Sequence, residues 1–127
     1  MSLNMQKQYT TNSIFTSSPQ ELTLMLYNAL VKFIMQAQHA IEKQNIQTAH
    51  NCIIKAKKIL LNFQNTLDMK YEVSESMLSM YEYIYKRLTD ANIKKDANIL
   101  AEVLIFAKEL RDTWSQAIKI ARQNNKS

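Results

Sequence analysis

Apolar residues recur along this chain at intervals of three and four, the spacing of one face of a helix. The pattern is cleanest near the C-terminus. There Leu100, Val103, Ala107, Leu110, Trp114, Ala117 and Ala121 alternate the two spacings without a miss, the seam of a helix packed nearly antiparallel to its neighbours. Met77, Tyr81, Ile84, Leu88 and Ala91 mark another helix, starting after Ser74. Ile46, Ala49, Ile53, Ala56, Leu60, Phe63 and Leu67 mark one over about residues 46–67. The first long helix opens at Ser18 and runs to about Lys43. Ser18 and Glu21 read as a capping box, and Pro19 takes the first helical position, where its missing N–H leaves no bond unmade. Asp96 reads as the cap of the last helix.

The links between these helices are short, and the longest, residues 68–73, is expected to be irregular and partly exposed. Short links make successive helices antiparallel neighbours. The prediction is an all-α fold: an antiparallel up-down four-helix bundle with an additional N-terminal segment or short helix packed on it. Residues 1–127 form one domain, with 1–15 as a lid-like segment and 119–127 as a frayed basic tail.

The first helix carries more apolar residues than one stripe needs. At about 100° per residue, Leu22, Leu26, Ala29, Phe33, Ala37 and Ala40 fall on one side. Leu24, Tyr27, Val31, Ile34 and Met35 fall nearly opposite. Ile54 and Leu61 lie off the core stripe of the second helix. If the first stripe faces the core, the second faces outward, and an exposed apolar patch marks an interaction site. Residues 5–15, with Tyr9, Ile14 and Phe15, are available as a displaceable cover. The candidate partner groove is therefore Ile14, Leu24, Tyr27, Val31, Ile34, Met35, Ile54 and Leu61.

Composition supports helices. The chain has no glycine and one proline, which argues against sheets with tight turns and removes glycine-rich phosphate loops. Asn45, Asn65 and Asn92 are expected to supply left-handed helix ends. The single cysteine, Cys52, leaves no internal disulfide and reads as a small hydrophobe at the core edge. With no leader pattern and no membrane-length apolar run, the expected location is cytoplasmic, without stable membrane insertion. The net charge of +5 is scattered over polar helix faces, and no nucleic-acid recognition motif accompanies it.

Candidate chemistry is sparse. No glutamate has a histidine three residues later, so the carboxylate–histidine spacing of a di-metal bundle is missing. His39 and His50 lie on different helices and read as surface residues. Tyr81, Tyr83 and Tyr85 point in different directions on a helix: core, outside and edge respectively. No metal, cofactor or catalytic residue is expected, and the chain is read as a binding protein rather than an enzyme. Two other readings stay open at this level: a basic helical nucleic-acid-binding protein, and a bundle that self-associates through its second stripe.

Three segments resemble one family in matching order, spanning about Tyr9 to Ile118. "TSSPQELTLMLYNAL" is similar to the Ser/Thr-Pro-x-x-Leu-x-x-x-Leu-Tyr segment of the flagellar secretion chaperone FliS family. "TLDMKYEVSESMLSMYEYIYKRLTDANIKKD" resembles its Leu-Tyr-Asp-Tyr-Met-x-x-Arg-Leu-x-x-Ala-Asn region, and "LAEVLIFAKELRDTWSQAI" its closing helix. The resemblance implies a cytoplasmic bundle that binds the C-terminal segment of flagellin, prevents early polymerisation and helps deliver it to the type III export gate. It also implies a gate contact at Tyr9, with Met5 nearby. This chain departs from the family's pattern at Ala29, where many members have glycine, at Tyr71-Glu72-Val73-Ser74 before the third helix, and at Gln6.

Overall fold

A computed structural model of the chain describes residues 19–125. They form four helices: α1 (Pro19–Glu42), α2 (Ile46–Thr66), α3 (Ser74–Lys94) and α4 (Ala97–Asn125). Each helix packs on two neighbours, α1 on α2 and α4, and α3 on α2 and α4, closing a square antiparallel bundle. This is the predicted fold. Ser18 and the N-terminal segment lie outside the described residues, but Pro19 does open α1.

Two of the three links use the same device. Among the described residues Gln44 and Lys95 are the two with left-handed backbone, at φ 59° and 49°. After Gln44, the Asn45 N–H reaches back to Ala40 O at 2.8 Å; after Lys95, the Asp96 N–H reaches Ala91 O at 3.1 Å. Both are Schellman closures, which satisfy orphan carbonyls at a helix end. The next residue then caps the following helix. Asn45 Oδ1 accepts the Thr48 N–H at 3.2 Å, and Asp96 Oδ1 accepts the Asn98 N–H at 2.8 Å. The expected left-handed asparagines are thus corrected: Asn45 is an N-cap, and Asn65 and Asn92 sit inside helices. An asparagine carbonyl does more for the helix that starts than for the one that ends.

The third link, residues 67–73, is irregular as predicted. Asp68 Oδ1 accepts the Lys70 N–H at 3.0 Å, and Ser74 Oγ donates to Asp68 O at 2.5 Å. Met69, Tyr71 and Val73 are exposed on it. At the other end of the chain, the frayed tail expected from residue 119 is instead helical through Asn125, and Arg122 pairs with Glu21 across α4 and α1.

The core stripes of α2 and α3 hold at Ala49, Ile53, Ala56, Leu60, Phe63, Tyr81, Ile84, Leu88 and Ala91, all buried. Ile46 is exposed instead, at the very start of its helix. In α4 the stripe holds from Leu100 to Trp114; beyond it Ala117 and Ala121 are exposed and Ile118 is buried. Cys52 is buried, with Sγ 3.8 Å from Gln36 Oε1. Each fully buried leucine or isoleucine contributes about 1.5–3 kcal/mol.

The first helix is where the sequence reading fails. Tyr27, Val31 and Ile34, assigned to an outward stripe, are buried at 2%, 4% and 0% exposure. Leu22, Leu26, Ala29 and Phe33, assigned to the core, are only partly buried. Leu30, fully buried, bisects the two stripes. The stripes are therefore the two flanks of one broad apolar arc. Phe33 lies under Lys55 of α2, while Tyr27 meets both Phe63 of α2 and Trp114 of α4, so the arc reaches both neighbours. A helix in a square bundle needs a wider apolar face than a coiled-coil seam does.

Candidate functional site

One end of the bundle, where α1 and α3 begin and α2 and α4 finish, is built around aromatic rings. Each helix contributes one. Tyr27 of α1 stacks on Phe63 of α2 with centroids 4.5 Å apart, and Phe63 stacks on Tyr81 of α3 at 5.4 Å. Trp114 of α4 lies 6.3 Å from Tyr27. The tyrosine hydroxyls meet in the middle, 2.6 Å apart and buried. Burial pushes both phenols above their ordinary range, and for Tyr27 the bond to Tyr81 adds to it. The opposite end is packed with small residues, Ala37, Ala40, Ala49 and Ala91, beside Ile99 and Leu100 of α4. Bulky rings at one end and alanines at the other make the layers unequal in width, because interhelical distance follows the side chains at the contact.

The wide end does not close. A cleft of about 480 Å³ opens over the ring layer, walled by Leu26, Leu67, Tyr71, Val73, Met77 and Trp114. A second, of about 360 Å³, lies between α3 and α4 and is lined by Met80, Phe106 and Leu110. The two share Tyr27, Val73, Met77 and Trp114, so they form one apolar surface folded around the α3 N-terminus. Trp114 donates its indole N–H to Gln20 O at 2.9 Å, which fixes the ring between the clefts. Tyr71 and Val73 stand at the rim, 66% and 61% exposed. The surface is hydrophobic with few polar groups, the make-up of a binding site rather than a reaction centre.

Below the second cleft, α3 and α4 are pinned by polar contacts. Tyr83 donates to Glu102 at 2.5 Å, and Arg87 bridges Glu102 and Asp90, each at 3.1 Å. These two donors hold the Glu102 carboxyl below its usual range. Tyr83 also packs edge-on against Phe106 at 5.9 Å. The Tyr83 ring is 43% exposed, as expected, and makes these contacts as well.

The residues of the predicted groove are not gathered into one. Tyr27, Val31 and Ile34 belong to the core, although Tyr27 also floors both clefts. Leu24 and Ile54 are partly buried, while Met35 and Leu61 are exposed at 49% and 40%. Ile54 and Leu61 follow the α3 side of α2, where Lys57 stands over the Tyr85 ring. Met35 instead lies near the α1–α2 turn. Ile14, Met5 and Tyr9 fall outside the described residues. Sequence reasoning missed Tyr71, Val73, Met77, Met80 and Phe106 as a site. The available signal was a loop carrying three exposed apolar residues, Met69, Tyr71 and Val73. His39 and His50 are exposed as expected, and His50 meets Asn92. Among the described residues no group of three potential ligands stands where it would hold a metal ion, and no helix is long and apolar enough to cross a membrane.

A packed core with an apolar cleft at one end defines the class: an antiparallel four-helix bundle with an open apolar surface. The family model described as Flagellar protein FliS matches residues 2–121. The chain belongs to that family. It is 45% identical over 116 residues to the flagellar secretion chaperone FliS of Bacillus subtilis (strain 168), covering 91% of this chain and 87% of that one. With the Escherichia coli (strain K12) protein of the same name it shares 24% over 110 residues, or 84% and 81% of the two chains. A solved bacterial flagellar chaperone superposes with a TM-score of 0.74 over 92% of this chain and 97% of its own, at 16% identity, and so shares the fold. The family is one of chaperones, not enzymes.

Proposed function

We propose that this protein is a cytoplasmic export chaperone that binds the C-terminal segment of flagellin, prevents its premature polymerisation and assists its delivery to the flagellar type III export gate. The observation that carries this reading is the apolar cleft at the wide end of the bundle. Its rim residues Tyr71 and Val73 are exposed hydrophobics that a monomeric protein gains by covering. An amphipathic client segment seats its apolar side there by groove capture. Leu24 on one side, and Ile54 and Leu61 on the other, extend the contact along the bundle. A client that orders only when bound uses a long contact for affinity while remaining releasable. Residues 1–15 act as the displaceable cover, and Met5 and Tyr9 contact the gate.

Trp114 is the only tryptophan in the chain and lines both clefts. Its emission therefore reports on occupancy of the cleft. Titrating the chain with a tryptophan-free peptide of the flagellin C-terminal segment is expected to shift that emission to the blue and to saturate. An unchanged spectrum alongside measurable binding moves the client elsewhere. Deleting residues 1–15 is expected to leave client affinity unchanged or tighter; weaker affinity contradicts the role as cover.

A further inference from the structure

Charge is distributed unevenly around the bundle. Between Leu22 and Ile41 of α1, and along the whole of α2, there is no aspartate or glutamate. The same stretches and the turn between them carry Lys32, Lys43, Lys55, Lys57 and Lys58, with Lys57 on the α3 side over the Tyr85 ring and Glu42 the one carboxylate, beside Lys43. By contrast, α3 and α4 carry carboxylates along their length, such as Glu75, Glu82, Glu102 and Glu109. Their arginines are engaged: Arg87 with Asp90 and Glu102, Arg111 with Asp112, and Arg122 with Glu21. None of the five lysines makes an ion pair among the described residues.

The face is not simply cationic. A groove of about 660 Å³ runs between α1 and α2 near their turn, lined by Met35, Ala40 and Cys52 and by five polar residues, His39 and Lys43 among them. Met35 is exposed beside it, and farther along Lys55 stands 5.4 Å over the Phe33 ring. This groove lies at the opposite end of the α1–α2 hairpin from the Trp114 cleft.

We propose that the outer face of the α1–α2 hairpin, from the Met35 groove to Lys58, is a second docking surface that takes an acidic amphipathic helix of a partner protein. Charge complementarity selects the occupant. Lys43 at the turn and Lys55 and Lys58 one helix stretch away, roughly 20 Å along α2, suit carboxylates near the two ends of a short bound helix. The apolar groove between them suits one buried anchor, and methionine adapts its shape to it. A nucleic acid would use the lysines but leave Met35 facing phosphate. Steering by the unopposed lysines also speeds encounter with such a helix.

The test uses the full-length chain, isotopically labelled, and a synthetic glutamate-rich helical peptide with a leucine stripe. Expected is saturable binding, with amide shifts confined to the α1–α2 hairpin around Met35, Lys43 and Cys52. The variant K43E/K55E/K58E, changed only at exposed or solvent-facing positions, is expected to bind roughly tenfold more weakly or worse, and a lysine-for-glutamate peptide likewise. The variant Val73→Asp, altered in the other cleft, is expected to bind the acidic peptide normally, which keeps this surface separable from the flagellin reading. Equal binding of the charge-reversed peptide, shifts centred on Trp114, or tighter binding of random duplex DNA or anionic vesicles at equal salt each overturn the proposal.

Discussion

The buried hydroxyl pair of Tyr27 and Tyr81 allows the sharpest test of the packing described above. Both rings are 2% exposed, and the oxygens are 2.6 Å apart. Tyr27→Phe keeps the ring and leaves no cavity, but strands the Tyr81 hydroxyl without its partner. A buried polar group left unsatisfied costs about 1–3 kcal/mol. Tyr81→Phe strands Tyr27 with the same expected cost, about 3–5 °C in Tm for each kcal/mol in a chain of this size. The double variant removes both polar groups together, so its loss is expected to be smaller than the sum of the singles. Urea denaturation of the four proteins gives the coupling energy directly. Strictly additive singles, or singles that cost nothing, refute the reasoning by showing that water in the cleft already serves these hydroxyls. Alkaline pH provides a second readout. The folded state keeps both phenols protonated beyond the pH at which the unfolded chain ionises them, near about 10. Their contribution is full below that pH and is lost as pH rises above it, by up to about 1.4 kcal/mol per pH unit for each tyrosine. The double phenylalanine variant is expected to lose stability less steeply above pH 10.

Other consequences are more local. Val31→Glu places a carboxylate at a 4% exposed core position, so circular dichroism is expected to show loss of helix, because an unpaired buried charge costs several kcal/mol. Asn45→Ala removes the cap of α2, an expected loss of about 1 kcal/mol in urea denaturation. Gln44→Gly relieves a left-handed residue at φ 59° and is expected to stabilise by about 0.5–1 kcal/mol in the same assay. Leu61→Glu, at an exposed position, is expected to leave stability within about 0.5 kcal/mol while weakening client binding in a titration.

How far the sequence carries can be traced on particular residues. The Leu100 to Trp114 series, the cap at Asp96 and the start at Pro19 are local signals, and the structure places all of them as read. Tyr27, Val31 and Ile34 were misplaced because helical spacing reports the width of an apolar arc without saying where its centre lies. The two stripes of α1 looked like opposite faces, yet Leu30 between them is fully buried, as are Ile34 and Ala37 on either flank. The cleft was not legible because it depends on the level at which four helices meet. Tyr27, Phe63, Tyr81 and Trp114 are far apart in sequence, and only the pairing of helices brings them into one layer. Excess hydrophobicity in α1 pointed to a partner surface, but Tyr71, Val73 and Met77 line the cleft from the loop and helix that follow α2.

The central claim is that flagellin's C-terminal segment enters this cleft, and Val73→Asp tests it most directly. Val73 is exposed, lines both clefts and occupies the N-cap position of α3. A carboxylate there is favoured by the helix dipole, so the fold is kept while the apolar rim gains a charge. The measurement is a calorimetric titration of the wild-type chain and of Val73→Asp with the last few dozen residues of flagellin from the same organism. Expected are saturable binding with a negative heat-capacity change for the wild type, and affinity reduced about tenfold or more, with unchanged Tm, for the variant. No heat and no complex at tens of micromolar, or a variant that binds as the wild type does, would contradict that claim.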